Sequence, residues 1–181
     1  MAALLGKQLI GCSSHKLNLA VQLYLENHEA LLDVVHQSMK KLNNLLPRAR
    51  LRTKTEYSPI SRNATRWNST MDMVRCYLKF KDLHCLDDDP ELTTLLPTPQ
   101  QDVQLRDLMN HFSNFQSCTM YLQEDGITLK DSRDIINKLI EDYPIMRRHL
   151  AADARIVQDK GVFTEYTLLK YFTLNITHLL Y

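Results

Sequence analysis

Glycine and proline are scarce, 4 and 6 residues in a chain of 181. That is too few turn-formers for an all-β sandwich or barrel with many tight turns. No apolar run approaches the roughly 18 residues that a membrane span needs. The opening stretch offers only Ala2-Ala3-Leu4-Leu5 before Lys7, short of a signal-peptide core. A secreted or membrane protein is therefore not expected, and a nuclear or cytoplasmic one is. The four cysteines, Cys12, Cys76, Cys85 and Cys118, stand 64, 9 and 33 residues apart with no C-x-x-C pair. Free thiols follow, not a disulfide framework. The sequons at Asn63, Asn68 and Asn175 carry no weight without a secretory route. Also missing are G-x-x-x-x-G-K-[ST], G-x-G-x-x-G, H-E-x-x-H and G-x-S-x-G. With them go the readiest routes to a nucleotide, zinc-peptidase or hydrolase site, so neither a cofactor nor a small-molecule substrate is expected.

What is present is a core. Hydrophobic residues make up 44% and charged residues 24% of the chain, enough apolar surface to exclude wholesale disorder. The periodicity is helical. Leu17, Val21, Tyr24 and Leu25 share a face, and Leu32, Val35, Met39, Leu42 and Leu46 continue at steps of three and four; one long helix, or two in line divided at Asn27-His28, would fit, with Pro47 as the expected end. Trp67, Met71, Val74 and Leu78 mark a further helix. Thr98-Pro99-Gln100-Gln101 spells a capping box with proline in the first turn, opening a helix with Leu105, Leu108, Phe112, Phe115, Thr119 and Leu122 inward and Gly126 as C-cap. Thr128 caps the next helix, with Asp131 in its first turn and Ile135, Ile136, Leu139 and Ile140 along it. Pro144 breaks it or starts another through Met146 and Leu150. A last helix is expected from about Phe163 to Leu180. Before all of these, Gly6 to Cys12 reads as the end of a short strand.

The net charge of +1 hides an asymmetry. Residues 1–46 carry +1, residues 47–81 carry +7 and residues 82–181 carry −7. The basic block begins in 47–64, which lacks periodicity and reads as a loop or arm. Loops of that length are usually functional or disordered. It is where a polyanion would bind, or else a solvated loop offset by the acidic half. Residues 84–97, with Asp87-Asp88-Asp89, read as an acidic linker with a short turn at Glu91–Leu96. Three consecutive carboxylates point in different directions and do not form a metal set.

Two motifs could carry chemistry. Cys12-Ser13-Ser14-His15 has the spacing of half a zinc set, but no second half follows. A buried cysteine beside a helix-capping histidine is the plainer account. Thr65-Arg66-Trp67-Asn68-Ser69-Thr70 holds the single tryptophan. Trp67 is either the largest core residue of its helix or a platform for a nucleobase, with Arg66 on phosphate; such stacking is worth roughly 1–3 kcal/mol per base.

Together these residues resemble hAT-type DNA transposases. Cys12 to Val21 (C-S-S-H-K-L-N-L-A-V) is similar to the family's C-x-x-H-x-L-N-L block, and Thr65 to Met73 (T-R-W-N-S-T-M-D-M) to its T-R-W-N-S-T segment. Thr128-Leu129, Arg133, Asp142-Tyr143-Pro144 and His149 to Ala154 (H-L-A-A-D-A) resemble later stretches. The resemblance implies an RNase H-like core interrupted by a large helical insertion, with three metal-binding carboxylates that cut DNA. It implies that Cys12 and His15 lie beside that former active site. It also implies that His15, Arg62, Arg66, Trp67 and Asn68 contact DNA, Trp67 by stacking on a displaced base.

The departures matter equally. Residues 1–11 contain no Asp or Glu, so the first two family carboxylates are missing, and the third is expected beyond the insertion. The expectation is a mainly α chain: a stub of an incomplete RNase H-like core over 1–14 and a helical region over 15–181. It is a catalytically incomplete fragment with no catalytic and no metal residues, binding transposon-end-like DNA weakly. A helical protein-interaction module without DNA binding is the alternative. The apolar run to Tyr181 suggests a piece of something larger and leads one to expect self-association.

Overall fold

A computed structural model describes residues 13–63, 65–83, 92 and 94–154. Within them the protein is mainly α-helical, with no strand. The expected strand at Gly6–Cys12 lies outside the described residues, as does the helix expected from Phe163. Nothing described supports an RNase H-like stub over 1–14, and its last two residues, Ser13 and Ser14, open the first helix. Most of the acidic linker also falls outside, though Leu95 and Leu96 both donate to the Leu92 carbonyl in the expected turn.

The described helices are α1 Ser13–Leu25, α2 Glu29–Leu42, α3 Leu45–Arg52, α4 Trp67–Asp82, α5 Pro99–Tyr121, α6 Leu129–Asp142 and the single turn α7 Arg147–Leu150. Two 3-10 turns join them, Glu26–His28 between α1 and α2 and Pro144–Met146 before α7. The chain divides into two compact units, Met1–Ala20 with Tyr121–Tyr181, and Val21–Met120.

In the second unit α2 packs along α4. Leu31, Leu32, Val35, Met39 and Leu42 of α2 are buried, a stripe at helical spacing. Helix α4 buries Trp67, Met71, Val74 and Leu78 as their spacing predicts. It also buries Thr70, Met73, Cys76, Tyr77 and Phe80, the signature of a helix surrounded by protein. Leu105, Leu108, Phe112 and Phe115 of α5 complete this core. Ser38 is a polar residue in the α2 stripe and fully buried. Its hydroxyl donates to the Val34 or the Leu95 carbonyl, 2.9 and 2.6 Å away, so the turn after residue 92 is tied to α2. Replacing Ser38 with Ala leaves the Leu95 carbonyl without that partner. Stability should fall by about 1–2 kcal/mol in urea unfolding.

Pro47 acts differently from expected. Extending α2 through it would drive the proline ring into the Asn43 carbonyl, four residues back, and waste a hydrogen bond. The chain breaks upstream instead, at Asn44, which is extended (φ −66°, ψ 156°). Helix α3 starts at Leu45, with Arg48 N–H donating to the Asn44 carbonyl at 2.9 Å. Pro47 then sits in the first turn, where its missing N–H costs nothing. Two corrections follow. Residues 47–52 are helix, not loop, and Leu46 leaves the buried stripe to stand 69% exposed. The remainder of the arm is held down. Ser58 accepts from the Cys76 thiol at 3.4 Å, Pro59 is buried and accepts from Asn43 Nδ2 at 3.4 Å, and Arg62 reaches α2.

The capping boxes are as read. Thr98 N donates to Gln101 Oε1 (2.8 Å) and Gln101 N to Thr98 Oγ1 (3.3 Å). Thr128 and Asp131 repeat the exchange at 3.0 and 3.2 Å, and the Thr128 hydroxyl holds the Asp131 carboxyl below its ordinary range. In the first unit α6 buries Ile136 and Leu139, followed by Tyr143, Met146 and Leu150, and Arg133 donates to the Leu150 carbonyl at 3.0 Å. Helix α5 stops at Tyr121, before Gly126. That glycine takes a positive φ of 85° in the turn beyond, a conformation other residues adopt at a cost.

Candidate nucleic-acid interface

The T-R-W-N-S-T segment makes a turn that seats α4. Thr65 N–H and its hydroxyl both donate to Asn63 Oδ1, at 3.0 and 2.9 Å. Asn63 N–H donates to Ser69 Oγ at 2.9 Å, and Ser69 Oγ lies 2.8 Å from the Arg66 carbonyl it donates to. Arg66 is the extended N-cap residue of α4, with an exposed side chain, as is Asn68. Asn63, Thr65 and Ser69 thus have a structural task, which side-chain-to-backbone bonding of Asn and Ser/Thr provides readily.

Trp67 turns inward. It is 3% exposed, stacked on Phe112 with ring planes 7° apart and centroids 6.0 Å apart, and edge-on to Phe115. A stacking platform needs a free face, and Phe112 and Phe115 already lie against this ring. The core reading of Trp67 replaces the base-stacking one. Arg62 is engaged within the fold. Its guanidinium donates to both Glu29 oxygens, at 3.0 and 2.6 Å, and to Asp33. This pairing raises the Arg62 pKa and lowers that of Glu29. Two carboxylates cancel the charge that a phosphate would need.

Arg62, Asn63, Arg66 and Trp67 line an open groove of about 380 Å³ with Gln22, Glu26, Glu29 and His36. Its mixed charge does not suit a polyanion. His36 carries a buried Nδ1 with no hydrogen-bond partner among the described residues. Burial, then Lys40 and Arg62, lower its pKa. His28 is lowered too, by burial first and then by His111. Both bind a proton less readily in the fold than in the unfolded chain, which takes up protons near the ordinary value of 6.5. Stability is therefore full above that value and falls as pH drops below it. The urea midpoint should decrease from about pH 7 to about pH 5, and His28→Gln with His36→Gln should flatten the decline.

His15 is exposed on α1 and belongs to the first unit, whereas Arg62, Arg66, Trp67 and Asn68 belong to the second. Cys12 lies outside the described residues. Among the described residues, Cys76 and Cys118 are thiols outside any disulfide, no three His, Cys, Asp or Glu side chains gather to hold a metal, and no helix is long and apolar enough to cross a membrane.

The basic block divides in two. Its second half is engaged: Arg75 with Asp72 at 3.0 Å, Lys81 with Asp102 at 3.5 Å and Lys79 over the Tyr57 ring at 3.5 Å. Asp102 also accepts from the buried Tyr77 hydroxyl at 2.7 Å, which together with burial pushes the Tyr77 pKa up. The first half is marked out by its sequence. From Val34 to Thr55 the chain contains no acidic residue, and Lys40, Arg50, Arg52 and Lys54 are all exposed. Net charge summed over longer blocks hides this run; its signal in the sequence is the stretch without Asp or Glu. The end of α2, the second half of α3 and the turn after it therefore carry cations in a stretch of sequence without Asp or Glu. Compared with known proteins, the chain matches no protein-family model, no curated protein and no solved structure.

Proposed function

We propose that this chain is a helical, hAT-transposase-like module that holds DNA by its phosphates and performs no chemistry of its own. The observation that carries the reading is the acid-free run over 34–55 with Lys40, Arg50, Arg52 and Lys54 exposed. Cations clustered on one short helix and the end of its neighbour supply sequence-independent affinity for a duplex. Arg66 and Asn68, also exposed, and the family resemblance of the segment they sit in add to this reading; Trp67 and Arg62 do not. His15 keeps the DNA-contacting role that the resemblance gives it. The reading places the protein in the nucleus, where its ligand is.

The test is a titration of a labelled duplex over a salt series. Log affinity should fall linearly with log salt, with a slope of about −0.9 for each phosphate engaged. Flat, salt-insensitive behaviour would reject the reading.

A second reading, a helical protein-interaction module, is favoured by Val103 and Met120 on α5, 68% and 62% exposed. Apolar contacts of that kind lack the salt signature. Sedimentation across a concentration series would show the self-association it entails.

A further inference from the structure

Among the described large apolar residues of the second unit, the two most exposed lie on the basic helix itself. Leu45 is 84% and Leu46 69% exposed, at the first two positions of α3. Leu51 is the buried residue of that helix, and Pro47 and Arg48, four and three positions before it, are half-buried. That fixes which side faces the protein. The other side carries Leu45, Ala49 and Arg52 in one row at i, i+4 and i+7, and Leu46 and Arg50 in the next, all exposed. One outward face thus begins with two leucines and ends with two arginines. At 1.5 Å of rise per residue, the leucines stand about 6 to 10 Å along the axis from the arginines of their rows. A basic face alone needs no leucine, and solvent penalises both. Charge complementarity singles out a polyanion as the partner, since no carboxylate interrupts 34–55.

Resting on the DNA-binding reading above, we infer that Leu45 and Leu46 form an apolar wedge that enters a duplex between base pairs, while Arg50 and Arg52 hold the flanking phosphates. Side chains of this kind, inserted from the minor groove, unstack a base step and kink the duplex. Flexible pyrimidine–purine steps yield most readily. The wedge makes binding shape-dependent at a place where the phosphate contacts read nothing.

The experiment measures binding and bending together, on a duplex of about 30 base pairs with a central TA step and a donor–acceptor dye pair at its ends. At saturation the wild-type chain should raise transfer efficiency. The Leu45→Ser/Leu46→Ser variant should bind with an unchanged salt slope and roughly three- to tenfold lower affinity. Transfer should then stay at the free-duplex value. Both leucines are exposed, so helix content by circular dichroism should match wild type. A wild-type complex that forms but stays straight overturns the wedge and leaves phosphate binding intact, as does a variant that bends DNA like wild type. Absence of any complex overturns the wedge together with the DNA reading. Leucine-dependent binding to phosphatidylserine vesicles without bending of DNA assigns the face to a lipid surface and overturns the wedge.

Discussion

Replacing Trp67 with Ala should cost about 3–5 kcal/mol of stability, a large part of the 5–15 kcal/mol that holds a typical domain together. The ring lies at the start of α4, 3% exposed, between Phe112 and Phe115 of α5. Its removal opens a cavity where α4 meets α5, and neighbours anchored on two helices can close only part of it. Urea unfolding with circular dichroism would read the loss, and a destabilisation under about 1 kcal/mol would refute the core placement. Trp67→Phe retains most of the ring and should leave both fold and DNA affinity nearly intact. A base-stacking Trp67 requires the opposite pattern, with stability kept and affinity abolished. As the single tryptophan, it also reports on itself. Its emission should be blue-shifted and poorly quenched by acrylamide, and saturating DNA should change neither.

The second large effect concerns α3. Substituting Arg50, Arg52 and Lys54 together with Ala should lower duplex affinity on the order of 100-fold at about 0.1 M salt. The salt slope should become shallower by about 0.9 for each phosphate that is no longer neutralised. Stability should hardly move, because all three side chains are exposed and surface charges rarely contribute more than about 1 kcal/mol. Arg62→Ala is the contrast: its charge is spent on Glu29 and Asp33, so the slope should stay as in wild type. If Arg62→Ala flattened the slope while the triple variant kept it, the phosphate surface would lie in the groove and not on α3.

Much of the helical framework could be read from residues alone, because it depends on interactions a few positions apart. The capping boxes at Thr98 and Thr128, the break at Pro144 and the inward stripes of α2, α5 and α6 are of this kind. A hydroxyl three residues before a glutamine or an aspartate, or apolar side chains spaced three and four apart, bring their own partners with them. Pro47 shows the limit of such local reading. Its effect on a helix is certain, but whether the chain ends there or breaks upstream and restarts depends on Asn43 and Asn44 offering a turn, and on Leu51 finding a buried place.

The fate of individual functional candidates belonged to the tertiary structure. Arg62 and Arg50 look alike as letters in a basic block. The fold sets one against two carboxylates 29 and 33 positions earlier in the chain and leaves the other on an exposed helical face. Trp67 could have faced a base or a core, and Phe112 and Phe115, more than forty residues on, pack against its ring. Ser38 sits in an apolar stripe with nothing nearby in sequence to explain it, until the Leu95 carbonyl arrives 57 residues later. Residue type and spacing therefore determined that this protein is helical, where most of its helices begin, and that its charge is concentrated. Only the packing of distant segments decided which charges and rings remain available to a partner, since burial and ion pairing are set by what the rest of the chain brings alongside.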